Sequence, residues 1–338
     1  MKLRQEKLAQ FDFLPLEAWM AEEHVPGMSM VAVRNLAKEG ACSLGIRNGQ
    51  GDPVTFDTLY ECASLTKVFF AMLVMRFVDR GLLSLDTPLA PLLGGDPWSL
   101  SPAFQKITAR HVLCHASGLP NWAPKPMDLL FEPGTAFSYS GEGYDLLQRV
   151  LEKLTGKTLD MLMNEEIFSF LPFIYHPSVV WTEAVGQVIS EGFDTDGNVC
   201  KVRNARRTTG NGPEPNAAWS LYANAEIIAY LLREWICASS ILRNRTLFDE
   251  MTRPQNPASH GVRWGLGIGL HESDPDLLWH WGDNRGFQSF LIADRRTGDS
   301  IVTCTNSDAG LHLVFRMLRI LTDCACLDSI EAFIREAE

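Results

Sequence analysis

Ser64 and Lys67 stand three residues apart in the run Glu61-Cys62-Ala63-Ser64-Leu65-Thr66-Lys67, and eight consecutive apolar residues follow, Val68 to Met75. On a helix, positions i and i+3 share a face, so the hydroxyl and the amine would meet. At the first turn both would sit in the positive end of the helix macrodipole. A lysine backed by an apolar helix has its ammonium disfavoured by desolvation, which lowers its pKa and makes it a base. That chemistry is nucleophilic catalysis: the amine takes the hydroxyl proton and the oxygen attacks a carbonyl. The Ser64 N–H is one of the amides that a first helical turn leaves without an internal partner, so it can form half of an oxyanion hole. S-x-x-K alone is a weak signal, arising by chance about once in two chains of this composition. Here it opens an apolar helix, and Ser64 is the only serine three residues before a lysine in the chain.

Two further groups follow in order. Phe137-Ser138-Tyr139-Ser140-Gly141-Glu142-Gly143-Tyr144 comes after the turn residues Pro133-Gly134. It places Tyr139 in a loop ahead of a helix, where a tyrosine near a lysine can become phenolate-like and pass protons. Taken alone, Tyr139 reads equally as a core tyrosine bonded at its hydroxyl. His280-Trp281-Gly282-Asp283 falls at the end of an expected strand. Taken alone, it reads as a packed edge strand carrying a histidine.

In that order, S-x-x-K, then Y-S-x, then H-x-G resemble the serine β-lactamase and penicillin-binding-protein superfamily, on its class C β-lactamase and esterase side. The flanking text is similar too: His111 to Asn121 (HVLCHASGLPN), Phe131-Glu132-Pro133-Gly134, Trp264-Gly265-Leu266-Gly267, Gly286-Phe287-Gln288-Ser289 and Cys304-Thr305-Asn306. The resemblance spans roughly residues 12 to 325. It implies Ser64 as the nucleophile that forms an acyl-enzyme, with Lys67 and Tyr139 sharing its proton and activating the deacylating water. It implies that His280 orients substrate and shapes the field around Tyr139. The second oxyanion donor would be the Asp283 N–H, just after Gly282, and Trp281 would be a pocket wall.

Two departures from the family pattern bear on substrate. The third position of the second motif, where β-lactamases place Asn to bind an amide side chain, is Gly141. The third motif begins with His280 rather than lysine and offers less positive charge to a carboxylate. Both are more like family esterases and D-amino-acid peptidases than β-lactamases. Glu142, beside the gap, has three readings: it replaces the missing polar group, contacts a substrate amine, or starts the helix as an N-terminal acid. Trp122 and Trp281 are candidates for an aromatic pocket, with core packing as the alternative.

The elements that must position these groups can be read from periodicity. Residues 12–24 and 222–237 read as helices, as do 107–116, 143–155, 158–170, 245–252, 309–322 and 328–336. Gly27 to Arg34 and Ala41 to Gly45 read as paired strands. Glu183 to Val202 reads as one or two short strands, with Asp196-Gly197 as a hairpin turn. The segments 263–270, 276–282, 286–294 and 299–305 read as a run of strands. Strands at both ends around a helical middle predict an α/β (α+β) fold. It is a mostly antiparallel sheet flanked by helices with an inserted helical domain, β-lactamase/transpeptidase-like. The sheet domain takes residues 1–81 and 222–338, and the helical insertion 82–221.

Composition sets the remaining bounds. The chain has 338 residues, 46% hydrophobic and 21% charged, which are ordinary globular values. The formal charge of −11, from 30 Lys+Arg against 41 Asp+Glu, argues against nucleic acid and anionic membranes as partners. Eight scattered cysteines read as reduced and mostly buried, with Cys324 and Cys326 in a helix-like stretch that points them apart. Met1 to Lys7 carries the charges of a signal peptide with no apolar stretch after it, and no run approaches the ~18 residues of a membrane span. A cytoplasmic monomer or homodimer acting on a small ester or amide is expected, with no cofactor and no metal. His111 and His115, four apart, suit a metal pair only with a third ligand, which is not evident. Gly265-x-Gly267-x-Gly269 suits close packing against a helix rather than a nucleotide. Arg203, Arg206 and Arg207 form a basic patch, either a solvated loop or a border of the cleft that favours anionic substrates. Esterase is the first reading, D-amino-acid peptidase or amidase the second and weak β-lactamase the third. A catalytically idle protein on the same fold is the reading from another class.

Overall fold

The computed structural model describes residues 1–4, 15–93, 98, 101–169, 171–172, 177–201, 208–209, 212–237 and 242–337. The helices are α1 (Leu16–Glu22), α2 (Leu65–Asp79), α3 (Ala109–Leu113), α4 (Gly141–Thr155), α5 (Leu159–Met163), α6 (Glu183–Val188), α7 (Ala225–Cys237), α8 (Arg245–Met251), α9 (Gly310–Leu321) and α10 (Leu327–Ala337). The strands are β1 (Gly27–Arg34), β2 (Ala37–Gly45), β3 (Tyr60–Glu61), β4 (Gly192–Phe193), β5 (Val199–Lys201), β6 (Thr208–Thr209), β7 (Gly212–Pro213), β8 (Tyr222–Ala223), β9 (Asn256–Pro257), β10 (Val262–Trp264), β11 (Gly269–His271), β12 (Asp274–Asn284), β13 (Phe287–Asp294) and β14 (Asp299–Thr305).

Eight strands form one sheet in the order β2-β1-β14-β13-β12-β11-β10-β9, and every neighbouring pair is antiparallel. The expected mixed fold with a mostly antiparallel sheet is therefore present. The first and last strands of the chain pair with each other one strand in from the β2 edge, Met28 opposite Thr305. β1, β13 and β14 are buried nearly throughout, because helices cover the sheet. α7 lies on β1 and β14, α2 on β12, α9 on β13 and β14, and α10 on β10. α2 is apolar all round and buried along its length, as a core helix must be. Gly267 brings the β10–β11 turn against Ala71 of α2.

Several sequence expectations need correction. Residues 183–188 are helical, not extended, because the Thr182 hydroxyl caps α6 by accepting the Val185 N–H at 3.2 Å. The hairpin over Asp196-Gly197 is present as β4 and β5. The run 263–270 is two strands, since residues 265–268 leave the ladder in a tight turn. Residues 222–223 extend to pair with β3 before α7 begins. Cys324 and Cys326 lie between α9 and α10, after Thr322 turns extended, so the expected helix-like stretch is interrupted there. All eight cysteines are free, with Cys62, Cys114, Cys304 and Cys326 buried. Among the described residues no helix is long and apolar enough to cross a membrane.

Candidate active site

The candidate nucleophile sits on a strained turn. β3 pairs with β8, and the Cys62 N–H continues the contact by donating to the Leu221 carbonyl at 2.7 Å. The next residue, Ala63, has φ +47. A left-handed conformation costs a non-glycine residue roughly 1–2 kcal/mol, so the surroundings must hold it. Thr66 does so: its hydroxyl donates to the Ala63 carbonyl at 2.6 Å and accepts the Leu221 N–H at 2.9 Å. Ser64 is then the N-cap of α2, with its amide at the open end of the helix.

Lys67 is 1% exposed. Its Nζ lies 3.0 Å from Ser64 Oγ and donates to the Ala218 carbonyl at 2.8 Å. It stands 4.8 Å from the centre of the Tyr139 ring. Among the described residues no carboxylate pairs with it, and burial holds its amine well below the ordinary lysine range. A neutral amine keeps a lone pair for the Ser64 proton. The Ala218 carbonyl was not foreseeable from sequence, because it is a backbone atom 151 positions away. Gln148 of α4 holds that segment: its Oε1 accepts the Ala217 N–H at 2.8 Å and its Nε2 donates to the Pro215 carbonyl at 2.9 Å.

Tyr139 is fully buried at its hydroxyl, which faces Ser64. Burial pushes the phenol up from its ordinary range, and the Ser64 hydroxyl opposes that in part. Burial thus favours the neutral phenol in the resting protein. Trp281 packs against it, with ring centres 4.8 Å apart and 37° between the planes. His280 is wholly buried, with its ring centre 6.3 Å from that of Tyr139. Burial, then the nearby Lys67, bring it down to about 3, against a smaller opposing pull from the Trp281 carbonyl 2.7 Å from Nδ1. It is a neutral group behind Tyr139 and does not line the cleft, so the expected contact with substrate is not available to it.

Gly282 allows β12 to approach the strained turn. A Cβ at that position would lie 2.2 Å from the Cys62 carbonyl oxygen. Asn284 and Phe287 close a two-residue hairpin, with Gly282 opposite Ser289 and His280 opposite Leu291. In such a ladder residues 284, 282 and 280 turn their amides toward β13, and 283 and 281 turn theirs the other way. The Asp283 N–H thus turns away from β13, and Asp283 lines the same cleft as Ser64.

The second motif is filled in an unexpected way. A Cβ on Gly141 would lie 2.3 Å from Trp122 Cζ2, so the Trp122 indole occupies the space that a side chain would take. Gly141 donates its N–H to Asn121 Oδ1 at 2.9 Å. Ser140 caps α4, accepting the Gly143 N–H at 2.9 Å. Glu142 turns away from the cleft. Its Oε1 accepts the Ala123 N–H at 3.3 Å and its Oε2 lies 3.3 Å from Lys125 Nζ, so it braces the loop that carries Trp122.

Ser64, Lys67, Tyr139, Trp122, Trp281 and Asp283 line one cleft of about 200 Å³. Asn121, Trp219, Asn284 and Ala337 line it too and were not singled out from sequence. A larger cavity of about 500 Å³ adjoins it across Tyr139. Gly141, Glu142, Gly282 and His280 stand behind these walls. Arg203, Arg206 and Arg207 lie outside the described residues. Among the described residues no group of three or more His, Cys, Asp or Glu is placed to hold a metal ion.

Two outcomes follow from this arrangement. Lys67→Met should keep the fold and cut the rate of Ser64 acylation by at least ~10²-fold, read from the rate of covalent labelling; an unchanged rate would remove Lys67 from the chemistry. The unfolded chain takes up a proton at His280 near pH ~6.5, and the folded chain does not until about 3. Unfolded molecules therefore bind more protons in that window, and stability falls as pH drops through it. Urea midpoints of His280→Asn should fall less steeply between pH 6.5 and 4 than those of wild type. Equal slopes would place a charged His280 in the folded protein.

The family model described as Beta-lactamase matches residues 16–320. Penicillin-binding protein 4 of Amycolatopsis lactamdurans is 29% identical over 49% of this chain and 48% of its own. Esterase EstB of Burkholderia gladioli is 26% identical over 76% of this chain and 79% of its own. The match spans about half or less of the length of several curated relatives, Penicillin-binding protein 4 among them. Among solved structures, the octameric penicillin-binding protein homologue from Pyrococcus abyssi aligns with a TM-score of 0.76 at 21% identity, over 93% of this chain and 77% of that one. The hydrolase EstCE1 aligns at 0.73 and 20%, over 89% and 94%. D-alanine carboxypeptidase AmpC from Burkholderia cenocepacia aligns at 0.73 and 17%, over 94% and 100%. With its sheet, its Ser64–Lys67 pair and this match over most of its length, the chain belongs to the β-lactamase family.

Proposed function

We propose that the protein is a serine hydrolase that cleaves small esters through an acyl-enzyme on Ser64. The observation that carries this reading is the 3.0 Å contact between Ser64 Oγ and a buried Lys67 amine with no carboxylate partner among the described residues. Lys67 takes the Ser64 proton as the oxygen bonds to the substrate carbonyl carbon. The tetrahedral oxyanion is held by the Ser64 and Asp283 N–H groups. As the carbonyl re-forms, the bond to the leaving oxygen breaks, and the proton passes to that oxygen through Lys67 and Tyr139. Water then attacks the acyl-enzyme by the same route in reverse and restores Ser64.

Two features support esters over β-lactams. His280 is buried and neutral, so it presents no positive charge to a ring carboxylate. Trp122 fills the space beside Gly141, where β-lactamases keep an amide-binding side chain. The 26% identity with Esterase EstB over most of both chains points the same way. D-amino-acid peptide or amide hydrolysis is the second reading. Asn121, at the cleft wall, would offer its Nδ2 to a peptide-like substrate, its Oδ1 being taken by the Gly141 N–H.

Intact-protein mass after exposure to a fluorophosphonate should show one adduct on wild type and none on Ser64→Ala. A well-folded wild type that takes no adduct would turn the reading to an idle member of the family. Short p-nitrophenyl esters, D-amino-acid amides and a chromogenic cephalosporin then rank the substrates, with the esters expected to turn over fastest. Gly141→Asn alone should lower the denaturation midpoint, because its Cβ meets Trp122. Paired with Trp122→Ala, it should raise the ratio of cephalosporin to ester turnover. A ratio that stays constant would mean that something other than the filled space limits β-lactam use.

A further inference from the structure

Tyr139 stands in a loop ahead of α4, so no ladder or helix holds its ring still. One residue, His115, meets that loop on three sides. Its carbonyl accepts the Ser138 N–H at 2.9 Å. Its Nδ1 accepts the Ser140 N–H at 3.1 Å. Its ring lies 4.4 Å from the Tyr139 ring, with 33° between the planes. The residue before Tyr139, the residue after it and the ring itself are thus tied to the same place.

The bond from Ser140 also fixes the tautomer. A backbone N–H only donates, so Nδ1 carries no proton and Nε2 carries it. That Nε2 is buried and has no hydrogen-bond partner among the described residues. The groups around the imidazole leave no room for a cation. Burial disfavours the charged form, and the rings of Tyr144 of α4 and Trp264 of β10 lie 5.5 and 5.1 Å away. His115 has φ +56, a strained conformation for a residue with a Cβ. Strain of about 1–3 kcal/mol survives only where the surroundings impose it. Asn256 adds a further tie, with its Nδ2 donating to the Cys114 carbonyl at 3.1 Å and the Ala136 carbonyl at 3.2 Å.

We propose that His115 is a positioning residue for the acyl transfer, holding the Tyr139 hydroxyl in register with Ser64 through the acceptor face of its imidazole. This rests on the proposed role of Tyr139 in moving the Ser64 proton. His115 touches neither the cleft nor substrate, so its effect should appear in kcat and leave KM nearly unchanged.

The experiment measures p-nitrophenyl butyrate hydrolysis and fluorophosphonate labelling with the full chain. It compares wild type, Ser64→Ala, His115→Phe and His115→Asn. Phenylalanine keeps a ring and removes the acceptor. Asparagine puts an oxygen near the Nδ1 position and tolerates positive φ. The expected result is a loss of about 10-fold or more in kcat and in labelling rate for His115→Phe, with KM within about 3-fold. His115→Asn should recover kcat to within about 3-fold of wild type. If His115→Phe does not fold, His115→Gln takes its place with the same expectation, because its oxygen falls near Nε2 instead. The proposal is overturned if the variant without the acceptor keeps wild-type kcat, if His115→Asn loses as much as His115→Phe, or if the loss lies in KM alone. Loss of activity in Ser64→Ala alongside a fully active His115→Phe sinks the positioning role and spares the serine mechanism. Activity that survives Ser64→Ala overturns both.

Discussion

A lysine amine buried without a counter-charge organises this protein. An isolated ammonium in an apolar interior costs several kcal/mol after relaxation, so the group gives up its proton instead. Lys67 is 1% exposed, and its Nζ contacts a carbonyl, a hydroxyl and the faces of two tyrosines. The neighbouring imidazoles obey the same rule, since burial holds His115 and His280 below the ordinary histidine range. Four ionisable groups, Tyr139 included, thus share a pocket in which every one rests uncharged. A proton moved among them travels over short distances between groups that the protein has already desolvated.

The fold supplies this pocket by bringing three distant segments to one point. The apolar α2 carries Lys67 into the core, and the strained residue Ala63 aims Ser64 at the cleft. The 216–223 segment clamps that turn from one side, through Leu221 and Ala218. β12 closes it from the other, where the lack of a side chain at Gly282 lets backbone meet backbone. The eight-stranded antiparallel sheet fixes the height of β12, because His280 to Asn284 sit in continuous register with β13. The loop of Tyr139 completes the wall, tied down by His115 and roofed by Trp122.

What the sequence reveals here follows the range of the interactions. Ser64 and Lys67 are legible because they are neighbours on one helical turn, and the apolar run after them announces burial. The terminal strands are legible because short runs such as Met30-Val31-Ala32-Val33 and Phe290-Leu291-Ile292-Ala293 stand between turn residues. Contacts that join residues far apart in the chain are not. Nothing near Ala218 marks its carbonyl as a lysine partner, and the indole that fills the space beside Gly141 comes from Trp122, nineteen positions earlier. His115 was visible as half of a histidine pair and as part of the family-like run His111 to Asn121, with no link to Tyr139. Its place beside Tyr139 depends on a left-handed backbone that no periodicity signals. The helix at 183–188 was hidden by its valines, although Thr182 three residues before Val185 is a capping signal that spacing alone could have shown.

The protonation state of Lys67 is the most direct test. Selective ¹³C,¹⁵N labelling of lysine, with Lys67 assigned by its disappearance in Lys67→Met, allows its titration to be followed by NMR. A Lys67 signal already in its neutral form at pH 7 to 8, far below the ~10.4 of a free lysine, is the expected result. A signal that stays protonated until pH ~10 would contradict it, and would require a counter-charge and a different base for Ser64.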